Sequence, residues 1–264
     1  MGNPVITLTT DFGTRDPYVA EMKGAVLGIS PNARIVDLTH QIEKFNVRMA
    51  AYVLALAHPY FPKNTIHVAV VDPTVGTRRK PIIVKTEKCC FVGPDNGVLA
   101  LAVRIANSKS RIFTITNSEF MLPTVSNTFH GRDIFAPAAA HLANGVEPAK
   151  FGPEIHQIES PEFARIISRK NEVIGRIIHL DDFGNIITSF TEKDLETPKT
   201  THEMRITVGK VKLLLRLCKA YGDVKKQQPL ALIGSHGFLE ISVNQGNAAR
   251  VFKARVGDKV VIPR

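Results

Sequence analysis

Tryptophan is absent and tyrosine occurs only four times in 264 residues, so a stacking platform for nucleic-acid bases has few candidates. Cysteine is scarce as well: Cys89 and Cys90 sit side by side in KCCFVG, and Cys218 is far away. Adjacent residues on a strand point to opposite faces and do not pair with each other. No CxxC or Cys/His ligand spacing suggests zinc. All three thiols are therefore read as small apolar core residues, and no metal site is expected. No run approaches the roughly 18 apolar residues of a membrane span. The opening MGNPVITLTTDFG has neither the basic start nor the small-residue cleavage site of a signal peptide. Ile6 stands where a myristoylation signal needs a hydroxyl. A cytoplasmic protein without a membrane partner is the expectation. GxGxxG, P-loop, GxSxG and HExxH motifs are also missing.

Positive charge is plentiful. Thirty-four Lys and Arg face 24 Asp and Glu, for a net +10. Such a balance can signal nucleic-acid binding or a heavily charged, thermophile-like surface. The basic residues are spread along the chain, with modest density in 205–226 and 250–264, and no aromatic residues interleave with them. A basic nucleic-acid-binding module stays as a competing class.

The first 160 residues alternate strand-like and helix-like segments. VITLTT, ARIVDLT, TIHVAVVD, PIIVKT, CCFVG and RIFTIT read as strands. Residues 17–29, 46–57, 97–106 and 131–145 read as helices, the last closed by Gly145. That alternation predicts an α/β domain with a mainly parallel sheet over 1–160. Residues 161–171 read as a linker. From 172 to 264, seven short strands separated by turn signals predict a small antiparallel β-barrel.

Ligands of open α/β sheets gather at the carboxyl ends of strands, and polar residues recur there. Asp11, after the first strand, can accept both hydroxyls of a ribose or simply cap a turn. Asp72 ends the strongest strand, Pro73 forces an extended turn, and an arginine of the Arg78-Arg79 pair lies close enough to orient the carboxylate. His130 precedes Gly131 at a helix start, where the dipole favours a neutral imidazole able to take a proton from water. The alternative is a capping or core histidine. Arg132 and Asp133 can form a structural pair. In the second half, Asp181, Phe183 and Asn185 share a tight turn in HLDDFGN. Asn185 can pair with a base edge and Phe183 can cover a ring, although the same residues suit a plain hairpin. Ser235, His236 and Glu240 in GSHGFLE precede a glycine turn whose backbone can read an adenine.

Taken in order, TTDFG, VVDPTVGTRR, FVGPDNG, FHGRDIFAPAAAHLA, DDFGN and GSHGFLEISVNQGNAA resemble the S-adenosylmethionine (SAM) hydroxide adenosyltransferases. These enzymes are related to the bacterial fluorinase and chlorinase. The resemblance spans nearly the whole chain. It implies a homotrimer with each active site between one subunit's first domain and its neighbour's second, and no cofactor, SAM itself being the substrate. The family's Asp-Arg-His trio falls on Asp72, Arg79 and His130. By the same resemblance Asp11 holds the ribose, Asn185 and the backbone near Ala248 contact adenine with Phe183 nearby, Asp181 takes the methionine ammonium, and Ser235 with its neighbour takes the carboxylate. Glu240 belongs to the same substrate-binding group.

Departures refine the expectation. Thr74 stands where the family motif usually has glycine, and His236 where the halogenases have arginine. The fluorinase has a tyrosine at the position of Asp72, and a threonine and a serine where this chain has Val75 and Gly131. Loss of two hydroxyl donors and gain of a carboxylate favour water over halide as nucleophile. The expected reaction is SAM hydrolysis to adenosine and methionine, with Arg79 stabilising hydroxide character, His130 orienting the water or accepting its proton, and Asp72 fixing both. Halide adenosyl transfer is the nearest alternative.

Overall fold

The computed structural model describes residues 3–195 and 203–264. They form two compact units, Met1–Ser160 and Pro161–Arg264. Among the described residues no helix is long and apolar enough to cross a membrane.

The first unit is built on a seven-stranded sheet. Its strands are β1 (Val5–Thr10), β2 (Arg34–Thr39), β3 (Ile66–Val70), β4 (Pro81–Lys85), β5 (Cys90–Pro94), β6 (Arg111–Thr114) and β7 (Glu154–Ile155). Their order is β2-β1-β3-β5-β4-β6-β7. The β2-β1-β3-β5 portion is parallel, and β4, β6 and β7 join antiparallel. β3 is buried along its whole length, as a strand covered on both faces must be. Helices α1 (Tyr18–Ile29), α2 (Val47–Ala57), α3 (Ala100–Ala106) and α4 (Ala136–Ala143) connect or cover the strands. Met22 and Val26 of α1 and Ala136, Ala138, Ala139 and Ala140 of α4 pack with Ile6, Leu8, Val68 and Val70 in one core.

The chain runs from β1 outward to β2, then returns to β3 on the other side of β1. This reversal is the switch point at which open α/β sheets bind ligands. Thr10 pairs with Val70, so Asp11 and Asp72 emerge from adjoining strand ends.

The helix expected over 131–145 begins differently. Residues Gly131–Phe135 form a π-helical turn that leads into α4. Wide turns of this kind recur at functional sites, and Pro137, with no N–H to donate, suits the start of α4. The far end is as expected. Gly145 adopts φ +88°, Gly145 N donates to Leu142 O and Val146 N to His141 O, the two bonds of a Schellman cap.

The second unit holds β8 (Ile167–Ser168), β9 (Glu172–Leu180), β10 (Ile186–Thr191), β11 (Glu203–Val208), β12 (Val211–Cys218), β13 (Pro229–Ile233), β14 (Phe238–Val243) and β15 (Lys259–Pro263), with the short helix α5 (Ala248–Val251). The order β10-β14-β13-β12-β11-β15-β9 closes through a β10–β9 pairing into a seven-stranded barrel. Residues 161–171, expected as a linker, lie in this unit, and Ile167 and Ser168 pair with Ile174 and Val173 of β9. One pairing departs from the antiparallel expectation. β12 and β13 run parallel, because the connection 219–228, with its 3₁₀ turn Tyr221–Asp223, is long enough to cross back rather than turn a hairpin. Phe190, Ile177, Leu239 and Ile241 fill the barrel core.

Cys89 and Cys90 are buried as expected, whereas Cys218 is only partly so. It ends a strand and its Sγ meets the Arg216 carbonyl in an exposed position.

A histidine at the centre of the first unit makes folding sensitive to acid. His67 on β3 is fully buried, bonds Thr7 Oγ1 through Nδ1 at 2.8 Å and stacks on Phe91. Burial, with His58 nearby, pushes its pKa down to about 3. The unfolded ring titrates near its ordinary value, about 6.5. Between those values the unfolded chain binds the extra proton, so stability falls as pH falls, by up to about 1.4 kcal/mol per unit. His67→Asn is expected to give a shallower loss of unfolding free energy between pH 6.5 and 5 than the wild type in urea titrations. Equal slopes would contradict this.

Candidate active site

The turn after β3 assembles a compact polar trio. Asp72 accepts two bonds on Oδ2 from Arg79, from Nε at 2.9 Å and Nη2 at 2.5 Å. The same Nη2 reaches His130 Nδ1 at 2.7 Å. The side chains of Asp72 and Arg79 are 5% and 6% exposed, so this ion pair is shielded from the solvent screening that weakens surface pairs. The guanidinium also lies over the Phe135 ring, 5.3 Å from its centroid. Arg78 is solvent-exposed, so Arg79 is the arginine that faces the carboxylate. Thr74 Oγ1 donates to Asp72 Oδ1 at 3.2 Å.

An arginine can only donate. The short contact therefore makes His130 Nδ1 an acceptor and puts the hydrogen of the neutral ring on Nε2. Burial and then the Arg79 charge lower the His130 pKa, against the opposing pull of Asp72, Asp133 and a hydrogen bond to the Ser126 backbone. The imidazole is thus neutral near pH 7, as expected, although burial and Arg79 are the causes rather than the helix dipole invoked from sequence.

Asp11 is buried at 6% exposure. Its Oδ2 accepts the Phe45 amide at 2.9 Å, and Lys44 Nζ donates to its backbone carbonyl. The Phe45 ring is 68% exposed and its φ is +65°, a strained value for a bulky residue. Sequence reasoning missed Phe45, because nothing in EKFNV signals a left-handed backbone. Gly131 is enclosed by rings. A Cβ there would lie 3.1 Å from Phe129 and 3.3 Å from Met22 Sδ. Phe12, Tyr18 and Phe129 contact one another edge-on or tilted. The expected Arg132–Asp133 pair is present at 2.7 Å.

In the barrel unit, Asp181 and Asn185 are tied by two bonds, Asn185 N to Oδ1 at 2.8 Å and Asn185 Nδ2 to Oδ2 at 2.9 Å. One of the two Asn185 Nδ2 hydrogens is thereby used, which leaves its Oδ1 and the second hydrogen for a base edge. Phe183, at the tip of the same turn, is 79% exposed. Glu240 is buried on β14 and its Oε1 accepts from Tyr221 Oη and Ser242 Oγ, both at 2.7 Å. Burial, the Glu240 bond and the charges of Glu240 and Asp181 raise the Tyr221 pKa. No motif in KAYGD pointed to Tyr221. Ser235 and His236 contact each other in the exposed β13–β14 turn. Ala248 is buried at the start of α5, whose Asn247 side chain caps Arg250 N. Among the described residues no three His, Cys, Asp or Glu side chains converge as a metal site.

Known proteins share this organisation. The SAM hydroxide adenosyltransferase N-terminal domain matches residues 6–152, and the C-terminal domain of that family matches residues 175–261. The (R)-S-adenosyl-L-methionine hydrolase of Methanocaldococcus jannaschii is 38% identical, covering 98% of this chain and 95% of the relative. That of Thermus thermophilus is 36% identical over 96% and 97%. A fluorinase from Actinoplanes is more distant, at 23% identity over 100% and 98%. The crystal structure of an uncharacterized conserved protein from Thermotoga maritima superposes with a TM-score of 0.81 at 38% identity, covering 98% of this chain and 100% of that one.

Proposed function

The chain belongs to the SAM hydroxide adenosyltransferase family, and on that basis we propose that it hydrolyses S-adenosyl-L-methionine to adenosine and L-methionine. The R sulfonium epimer, named for its hydrolase relatives, is the substrate form. Water attacks C5′, the C5′–S bond breaks, and sulfur leaves as a neutral thioether that needs no acid. The protein must align the water and exclude bulk solvent.

The observation that carries the reading is the shared Arg79 Nη2, which bonds Asp72 and His130 at once. Arg79 supplies the positive charge that stabilises hydroxide character. His130, with its hydrogen on Nε2, donates to the water and orients it. Arg79 occupies the one acceptor atom of the neutral His130 ring, Nδ1, so the water's proton goes to Asp72. Its Oδ2 is filled by Arg79, so Oδ1 takes the proton. Asp11, with one carboxylate oxygen held by Phe45, presents the other to the ribose. Asp181, Asn185, Phe183, Ser235, His236, Glu240 and the backbone at Ala248 bind the rest of the substrate.

Halide transfer is disfavoured by Val75, by the Asp72 carboxylate and by the packing of Gly131. Any hydroxyl-bearing side chain at position 131 would press on Phe129 and Met22. The protein works as a homotrimer with intersubunit active sites, testable by light scattering. It acts in the cytoplasm, a reducing compartment that suits its free Cys89, Cys90 and Cys218. Liquid chromatography of SAM incubated with the enzyme tests the reaction. Adenosine and methionine in equal amounts are expected. No turnover, or 5′-chloroadenosine formed with chloride, would refute it.

A further inference from the structure

We infer that Thr74 is a positioning residue for the Asp72–Arg79–His130 trio, an assignment that rests on the hydrolytic reading above. Its hydroxyl donates to Asp72 Oδ1 at 3.2 Å. The loop does not need that bond for its shape. Val75 N donates to Asp72 O at 3.2 Å, Thr77 Oγ1 to Thr74 O at 2.8 Å and Arg79 N to Thr77 Oγ1 at 3.4 Å. Gly76, at φ +75°, lies so close to the Asn127 carbonyl that a Cβ would collide with it. These contacts fix residues 72–79 without using the Thr74 side chain, which is solvent-exposed and open to substitution.

The bond matters for the carboxylate. Arg79 grips Asp72 by Oδ2 alone, and the terminal torsion of an aspartate is broad. One held oxygen leaves the carboxylate plane free to rotate. Thr74 holds the second oxygen, and two held oxygens define the plane. Arg79 Nη2 divides its hydrogens between Asp72 Oδ2 and His130 Nδ1, so a rotated carboxylate draws the guanidinium away from the imidazole. Thr74 also leaves only part of the acceptor capacity of Oδ1 open, directing where an incoming proton is received. The bond goes to a charged carboxylate, but at 3.2 Å and in an exposed position its net worth is modest, which corresponds to a change of about three- to tenfold in rate.

The test compares wild type, Thr74→Val and Thr74→Ser in adenosine release, with a melting curve for each. Thr74→Val keeps the shape and removes the donor. Its kcat is expected to fall about three- to tenfold, with KM within about twofold and melting unchanged. Thr74→Ser, which restores the hydroxyl, is expected to stay within about twofold of wild type. Wild-type kcat in Thr74→Val, an equal loss in Thr74→Ser, or a loss confined to KM would overturn the role. A wild-type enzyme that makes no adenosine would instead defeat the hydrolytic reading itself.

Discussion

Replacing Asp72 by alanine is expected to cut turnover by about 10²-fold or more while leaving SAM affinity near the wild-type value. Asp72 touches Arg79 and Thr74, and its proposed part is played in the reaction rather than in holding substrate. The substitution removes the acceptor for the water's proton. It also leaves the Arg79 guanidinium, 6% exposed, against His130 and the Phe135 ring, without its carboxylate. A cation so placed no longer has a fixed direction. Asp72→Asn keeps the volume and loses the charge, and a comparable loss of kcat is expected with a smaller effect on stability. Steady-state kinetics and calorimetric SAM binding separate the two effects. A kcat within about threefold of wild type would show that the trio is not the catalytic apparatus, since acid–base groups ordinarily contribute far more.

The second large effect is expected in stability. Asp133 is fully buried in the π-helical turn. Its Oδ2 accepts Ser126 N at 2.8 Å and Ser126 Oγ at 2.7 Å, and its Oδ1 accepts Arg132 Nε at 2.7 Å. Arg132 reaches on to Glu21 of α1 at 2.7 Å. Burial alone would raise the Asp133 pKa, but bonds from Arg132 and Ser126 outweigh it and the net shift is downward. Asp133→Ala is therefore expected to cost about 3 kcal/mol in urea unfolding at pH 7, because it takes the acceptor from Ser126 N, Ser126 Oγ and Arg132 Nε at once. The contribution is present above the ordinary carboxylate range and disappears as pH falls through the depressed folded value. Ser126 Oγ also accepts the Phe129 amide at 3.0 Å, so the segment leading to His130 should loosen and turnover should fall as well. A loss below about 1 kcal/mol would mean that the network is not holding the turn.

Much of the first unit was readable because parallel strands covered on both faces appear as plain apolar runs. β3 comes nearest to such a run, β1 mixes Val5, Ile6 and Leu8 with buried threonines, and Asp11 and Asp72 mark where they stop. That Asp72 pairs with one of two nearby arginines was legible from the short spacing, whereas the choice of Arg79 over Arg78 came from the family motif; Gly145 was legible from the helix-forming stretch before it. The π-helical turn was not, because the same residues satisfy helical spacing and only the hydrogen bonds distinguish the wider turn. The parallel β12–β13 pairing escaped for a similar reason: strand signals are local, whereas the direction of pairing depends on how a connection crosses space. Tyr221 bonds a glutamate far along the chain, and no local pattern marks that meeting. Thr74 was visible as a departure from the family motif, but its hydroxyl acquires meaning only from its distance to Asp72.

The claim that water is the nucleophile is tested most directly by turnover in ¹⁸O-water. If an aligned water attacks C5′, the adenosine carries the label in its 5′-hydroxyl and the methionine carries none. Unlabelled adenosine, or label in the methionine carboxylate alone, would contradict direct hydrolysis at C5′.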